Sequence, residues 1–69
     1  MVKLSYQDFD ASLNNMNTNL LSGKNTDGEN VILQRLSRDC ILLITCQDNG
    51  WLRKNYYYED GSTEETYER

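Results

Sequence analysis

The chain of 69 residues contains no histidine and no proline, and it has only two cysteines. Histidine is the usual general base near neutral pH and a member of most nucleophilic triads, so its absence argues against those forms of catalysis. A structural zinc site takes about four cysteine or histidine ligands, which two cysteines do not supply. No glycine-rich phosphate loop is present either. The sequence therefore predicts a protein that is not an enzyme and that holds no metal or cofactor.

The two cysteines, Cys40 and Cys46, lie in the longest apolar run of the chain. In a single strand their separation would be roughly 20 Å, which is far beyond the reach of a disulfide bond. We therefore expect both to be reduced, as in a cytoplasmic protein. The same run is too short to span a bilayer, and the first residues lack the apolar segment of a signal peptide. These features predict a cytoplasmic protein with no membrane association.

Acidic residues outnumber basic residues by eleven to seven, which gives a net charge of −4. This balance opposes general binding to duplex DNA, because such binding depends on neutralising phosphates with lysine and arginine. An acidic surface has three explanations at this point. It can serve solubility alone, attract a basic protein partner, or imitate the charge of a nucleic acid.

The first third of the chain has the pattern of an amphipathic helix. Ser5 and Asp8 have the spacing of a capping box, and Gly23 has the position of a C-terminal cap. We therefore expect a helix between these limits. Its opposite face is rich in asparagine, a weak helix former, so it would depend on tertiary packing. Its apolar side chains recur at helical spacing, and they are Phe9, Leu13, Met16, Leu20 and Leu21.

The remainder of the chain alternates between apolar segments and turns. Strands are predicted over 31–36, 40–47, 51–58 and 62–68. They are separated by a tight turn at 37–39 and by the dipeptides Asn49-Gly50 and Asp60-Gly61, which are typical of two-residue hairpin loops. We expect a single α+β domain over residues 1–69, with one N-terminal helix packed on a four-stranded antiparallel meander sheet.

Two-residue loops would also set the register of this sheet and therefore its two faces. Arg53 would then lie opposite Glu68. One predicted face contains Ile41, Leu43, Leu52, Tyr56, Tyr58 and Tyr67. The other contains Cys40, Leu42, Ile44, Cys46, Trp51, Arg53, Tyr57, Glu64 and Glu68. A single helix covers one face, and an exposed apolar face usually marks an interface. We expect a homodimer or a complex with another protein, unless the helix and the loop at 23–30 wrap the sheet well enough for a monomer.

Two groups of residues are candidates for binding. The first, for an interface or for stacking, comprises Leu42, Ile44, Trp51, Arg53 and Tyr57. The second is the acidic C-terminal hairpin with Glu59, Asp60, Glu64, Glu65 and Glu68, which would present spaced negative charge to a groove built for phosphates. A solvated edge strand explains the same charges without a partner. Alternatively, Trp51, Arg53, Lys54 and Tyr57 would bind single-stranded nucleic acid by stacking and charge.

The segment from Gly50 to Gly61, GWLRKNYYYEDG, resembles hairpins in small proteins of phages and mobile elements. The whole chain resembles anti-CRISPR and related counter-defence proteins in its short length, acidity, few cysteines and many asparagines. The resemblance implies inhibition of a host defence nuclease by direct protein contact in the host cytoplasm, often as a dimer. We thus expect a non-enzymatic protein that inhibits or regulates a larger partner by steric or nucleic-acid-mimicking occlusion. The alternatives are a small nucleic-acid-binding module and a structural subunit of a larger assembly.

Overall fold

A computed structural model describes residues 4–69 and contains, within them, one helix and five strands. These are α1 (Tyr6–Asn15), β1 (Leu20–Lys24), β2 (Asn30–Ser37), β3 (Cys40–Cys46), β4 (Leu52–Tyr58) and β5 (Thr63–Glu68). The strands form an antiparallel sheet in chain order, from β1 at one edge to β5 at the other. The α+β class and the antiparallel sheet are confirmed. The expected count of four strands is wrong, because part of the predicted helix is the first strand.

The helix begins where the sequence predicts and ends earlier. The backbone N–H of Ser5 donates to the Asp8 carboxylate at 2.9 Å, which confirms the capping box. The helix then stops at Asn15, not near Gly23. Asn17 has a left-handed φ of 51°. The N–H of Thr18 donates to the carbonyl of Leu13 at 3.1 Å, and that of Asn17 to Asn14 at 3.0 Å. This is a Schellman ending with asparagine in place of glycine.

Residues after the helix form a strand because they pair with the next segment of the chain. Leu20 lies opposite Gln34, and Lys24 lies opposite Asn30. The helical spacing of apolar residues extends as far as Leu20, but that side chain is 56% exposed and Met16 is 65% exposed. A longer helix would therefore have gained little burial from them. Pairing of β1 with β2 instead gives the backbone N–H and carbonyl groups of both strands hydrogen-bond partners.

Three hairpins of the sheet share one kind of turn. Gly28, Gly50 and Gly61 have φ angles of 81°, 87° and 93°. In each turn the glycine N–H donates to the carbonyl three residues earlier, at 3.0–3.1 Å. This is the three-residue loop in which a left-handed glycine forms a bulge. The loops at Gly50 and Gly61 are each one residue longer than the predicted two-residue loops, and the loop at Gly28 lies where the sequence predicts only a connector between the helix and the first strand. Since side chains alternate along a strand, one additional residue exchanges the two faces of the strand that follows.

The predicted register is therefore wrong in both C-terminal hairpins. Tyr56 lies opposite Leu42, and Arg53 lies opposite Tyr67 and not Glu68. We call the face that packs against α1 the covered face and the other the open face. The covered face includes Leu21, Leu33, Ile41, Leu43, Thr45, Arg53, Tyr57, Glu65 and Tyr67. The open face includes Leu20, Ile32, Cys40, Leu42, Ile44, Cys46, Leu52, Lys54, Tyr56, Tyr58, Glu64 and Glu68.

The helix packs its apolar side on the centre of the covered face. Its core residues are Tyr6, Phe9 and Leu13, and they meet Leu33 and Ile41 of the sheet. Leu13 and Ile41 are fully buried. The single helix packs on the covered face only, so no helix lies over the open face. Among residues 4–69, no helix is long and apolar enough to cross a membrane.

Candidate functional site: the open face and the acidic edge of the sheet

The centre of the open face is apolar and closely packed. Leu42 is 6% exposed although it faces away from the helix. Its neighbours on the adjoining strands are Gln34 and Tyr56. Ile44 is half-buried, and its neighbour on β2 is Ile32. The side chains of adjacent strands therefore shelter the middle of this face without an overlying element.

The margin of the open face towards β1 is more exposed. Leu20 is 56% exposed and lies on this face at the edge of the sheet. Leu36 is 47% exposed and sits where the register of β2 shifts between Arg35 and Ser37. The exposed side chain of Gln34 lies between Leu20 and Leu42, so a polar residue separates this margin from the sheltered centre.

The opposite margin of the open face is acidic. Glu64 lies opposite Tyr56 and accepts a hydrogen bond from the Tyr58 hydroxyl at 3.4 Å. The Glu68 carboxylate pairs with the Lys54 ammonium group at 2.5 Å. That hydrogen bond raises the pKa of Lys54, so the lysine stays charged. Every residue of β5 is exposed. Glu64 and Glu68 thus present carboxylates beside the apolar centre.

The remaining acidic candidates lie elsewhere. Glu59 and Asp60 occupy the turn before β5, and Glu65 lies opposite Asn55 on the covered face. Asp60 accepts hydrogen bonds from the Ser62 hydroxyl at 2.6 Å and the Ser62 N–H at 2.8 Å, which lower its pKa. The five predicted acidic residues are therefore divided between a turn and both faces. Only two of them border the open face.

The predicted interface and stacking residues are also divided. Leu42 and Ile44 lie on the open face, whereas Arg53 and Tyr57 lie on the covered face. The Tyr57 ring packs against Phe9 with centroids 4.8 Å apart, and burial raises the pKa of its hydroxyl. Trp51 precedes β4 and is 36% exposed. These residues do not form one common surface, because neighbours in a strand point to opposite sides.

Sequence reasoning assigned Leu52, Tyr56 and Tyr58 to the face of Ile41, but the structure places them on the open face. The signal that would have found them is the position of each glycine. In all three hairpins, glycine follows two polar residues, as in Asp48-Asn49-Gly50. That spacing fits a three-residue loop with a final left-handed glycine as well as it fits a two-residue loop.

The cysteines lie at opposite ends of β3 on the open face, and both are free thiols. Burial raises the pKa of Cys40, which keeps it as a neutral thiol. Among residues 4–69, histidine, cysteine and carboxylate side chains form no group of three or more that would hold a metal ion. Comparison of the chain with protein-family models, curated proteins and solved structures finds no match.

Proposed function

We propose that this chain is a non-enzymatic binding protein that inhibits or regulates a larger partner by occluding one of its working surfaces. The open face supports this proposal more than any other feature. Leu42, Ile44 and Tyr56 form its apolar centre, and the exposed Leu20 lies at its margin, beyond Gln34. Burying apolar surface contributes about 25 cal/mol for each Å², so this face would gain free energy from contact with a partner.

The acidic margin supports a more specific partner, a nucleic-acid-processing defence complex. Glu64 and Glu68 border the apolar centre, and the whole chain carries a net charge of −4. A groove that binds phosphates is lined by arginine and lysine, and complementary charge speeds association with it and excludes other partners. The apolar centre would supply the affinity, and the carboxylates would occupy positions meant for phosphates. The resemblance to anti-CRISPR proteins implies inhibition of a host defence nuclease by direct protein contact, and this would take place in the host cytoplasm.

Without that partner, we propose that two copies of the chain share the open face as a homodimer. The contact would remove Leu20 and the half-buried Ile44 of each copy from water. A twofold dimer uses the same patch on both subunits. Partner binding and dimer formation would then compete for the open face. Sedimentation velocity over a range of protein concentrations should show a monomer–dimer equilibrium that Ile44→Glu shifts towards the monomer.

The direct test is capture of the partner from host lysate by the tagged chain, followed by assays of the captured protein. We expect one large nucleic-acid-processing protein, with lower nucleic-acid-processing activity when the chain is bound. Ile44→Glu should abolish both effects, since it places a charge in the apolar centre. Met16→Glu is the matched control, because Met16 is 65% exposed and lies outside the sheet.

The acidic margin is tested separately by the double variant Glu64→Lys, Glu68→Lys. Weaker capture with a normal far-ultraviolet circular dichroism spectrum would assign a role to these carboxylates. Unchanged capture would assign the contact to the apolar centre alone. If folded Ile44→Glu captured and inhibited the partner as well as the wild type, the proposed use of the open face would be wrong.

A further inference from the structure

A second surface with a different chemistry lies at the β3–β4 turn. Arg53 and Tyr67 are cross-strand neighbours. The guanidinium carbon of Arg69 lies 5.3 Å from the centroid of the Trp51 ring. Trp51 and Tyr67 line a shallow cavity of about 330 Å³ together with Gln47 and Asn49. We call Trp51, Arg53, Tyr67 and Arg69 the Trp51 patch.

The patch lies outside the core around α1, and all of its residues are exposed except Arg53, which is half-buried. Tyr67 is 55% exposed, Trp51 is 36% exposed, and Arg69 is also exposed. The salt bridges among residues 4–69 are Arg35–Asp10 and Lys54–Glu68, so neither arginine of the patch has a carboxylate partner there. One carboxylate contacts the patch: Glu65 accepts a hydrogen bond from the Tyr67 hydroxyl at 3.3 Å. Two positive charges and two aromatic rings therefore share one surface of an acidic protein.

The turn holds Trp51 in position before any ligand arrives. Gly50 has a φ of 87°. The N–H of Trp51 donates to the Asn49 side chain at 3.0 Å, and its carbonyl accepts from the Gln47 N–H at 3.0 Å. A backbone held at both its N–H and its carbonyl presents the indole with little loss of backbone freedom on binding. This favours stacking, which depends on a preformed aromatic surface.

The charges and rings define the chemistry of the ligand. A cationic protein segment would be repelled by Arg53 and Arg69, and an apolar segment would leave both guanidinium groups unpaired. An anionic ligand with flat rings satisfies both parts of the patch, because bases stack on aromatic side chains and guanidinium groups pair with phosphates. The cavity is at the lower end of the roughly 300–1,000 Å³ that is typical of small-ligand sites, which suits one or two nucleotides.

We infer that the Trp51 patch binds a short segment of single-stranded nucleic acid. A base stacks on Tyr67, or on the face of Trp51 that Arg69 does not cover, and the adjoining phosphates contact Arg53 and Arg69. This inference goes beyond the proposed function, because the patch and the apolar centre of the open face are different surfaces. A chain that covers a nucleic-acid-processing partner with its open face would hold the strand with this patch.

Trp51 is the only tryptophan of the chain, so its fluorescence reports on the patch directly. The probes are oligothymidylate and oligouridylate, each titrated into the full chain at low salt. We expect quenching of Trp51 by stacked bases. Binding to the labelled oligonucleotides, followed by anisotropy, should weaken by roughly 5- to 150-fold in Trp51→Ala or Tyr67→Ala. Met16→Ala, which shortens an exposed side chain elsewhere, should bind as the wild type does.

The arginines are tested by the salt dependence of the same binding. Arg53→Gln and Arg69→Gln should each weaken binding. Each should also reduce the magnitude of the slope of log K against log salt by about 0.7, the share of one phosphate contact on a single strand. Lys24→Gln is the matched control, because it removes one positive charge from β1 at the opposite edge of the sheet. Its slope should equal that of the wild type.

Three results would overturn the inference. The first is that the folded wild type binds neither oligonucleotide at low salt. The second is that binding occurs but is unchanged in Trp51→Ala, Tyr67→Ala and Arg53→Gln. The third is that a hexa-arginine peptide quenches Trp51 and the oligonucleotides do not, which would assign the patch to a cationic protein segment. None of these results tests the open face, where Ile44→Glu remains the decisive variant.

Discussion

The two faces of β3 are buried to almost the same extent by different means. On the covered face, Ile41 is 0% exposed and Thr45 is 1% exposed. On the open face, Leu42 is 6% exposed and Cys40 is 8% exposed. A helix seals the first face, whereas side chains of the neighbouring strands shelter the second. Low exposure of a residue therefore does not by itself show that a second layer lies over it.

The polar contacts of the two faces differ in the same way. On the covered side, Arg35 donates to Asp10 at 2.6 Å and to Asn14 at 3.1 Å, which joins β2 to the helix. On the open side, Lys54 pairs with Glu68 of the adjacent strand. The first contact holds two layers together, and the second holds together strands that the backbone already joins. The covered face is thus a core, and the open face is a single layer.

The largest expected difference between the faces is in the cost of removing an isoleucine. Ile41→Ala should lower the free energy of unfolding by about 2–5 kcal/mol, because it leaves a cavity beneath the helix. Ile44→Ala should lower it by about 1–2 kcal/mol, because that side chain is only half-buried and no helix lies over it. Urea unfolding at low protein concentration measures both. Equal losses would contradict a core on one side of the sheet only.

The ion pairs should show a smaller difference of the same kind. Arg35→Met should lower the free energy of unfolding by about 1–2 kcal/mol, since it breaks charged hydrogen bonds between the helix and β2. Lys54→Met should have no measurable effect, because exposed pairs contribute little. High salt should reduce the difference in free energy of unfolding between the wild type and Arg35→Met. The corresponding difference for Lys54→Met should stay close to zero at any salt concentration. A larger loss from Lys54→Met would show that the open face is not a simple exposed layer.

The contact of the helix with the β2–β3 turn should contribute less again. The Tyr6 hydroxyl donates to the carbonyl of Arg38 at 2.5 Å, and the side chain is buried. Tyr6→Phe removes this hydrogen bond and should cost about 0.5–1.5 kcal/mol in urea unfolding. Tyr56→Phe on the open face is the comparison variant, with a smaller expected loss. An equal loss would indicate that the Tyr6 contact does not anchor the helix.

The smallest expected effect is the pH dependence of the same contact. Burial, and then the nearby Asp10, raise the pKa of Tyr6 above its ordinary value of 10.0. The folded state therefore holds this proton more tightly than the unfolded state. Its contribution to stability is fully present below the unfolded pKa and is lost as pH rises through the folded pKa. Thermal unfolding should show a steeper loss of stability above about pH 10 in the wild type than in Tyr6→Phe.

Tyr57 and Tyr58 also have raised pKa values, chiefly because of burial, so Tyr6→Phe should keep part of the same alkaline loss. The measurement is therefore the difference between the two pH profiles. Profiles of identical shape would contradict a role for Tyr6 in the alkaline loss.

Much of the fold could be predicted from adjacent residues. The capping box of Ser5 and Asp8 begins the helix where expected, and β2 to β5 lie within about two residues of the predicted strands. These features depend on local chemistry, namely a side chain that reaches a nearby N–H and side chains that alternate along an extended backbone. The predicted tight turn at 37–39 connects β2 to β3 as expected.

The surfaces could not be predicted in this way. The expected faces paired Leu42 and Ile44 with Tyr57, whereas the structure pairs Leu42 with Tyr56. The cause is one additional residue in the β3–β4 loop, which reverses the faces of β4. A second additional residue, in the β4–β5 loop, returns Glu64 and Glu68 to the face of Leu42, where they were expected. The Trp51 patch was predicted only in part. Trp51 and Arg53 were expected to act together, but Tyr67 and Arg69 join them only through the pairing of β4 with β5.

The sequence by itself determined the composition of this protein, the start of its helix, four of its strands and the positions of its turns, because each is encoded by residues close together in the chain. The tertiary structure decided where the helix ends, that Leu20–Lys24 is a strand, and which side chains share a face. Those outcomes depend on pairing between distant segments. An apolar spacing that fits a helix is overruled when a neighbouring strand offers the backbone better partners.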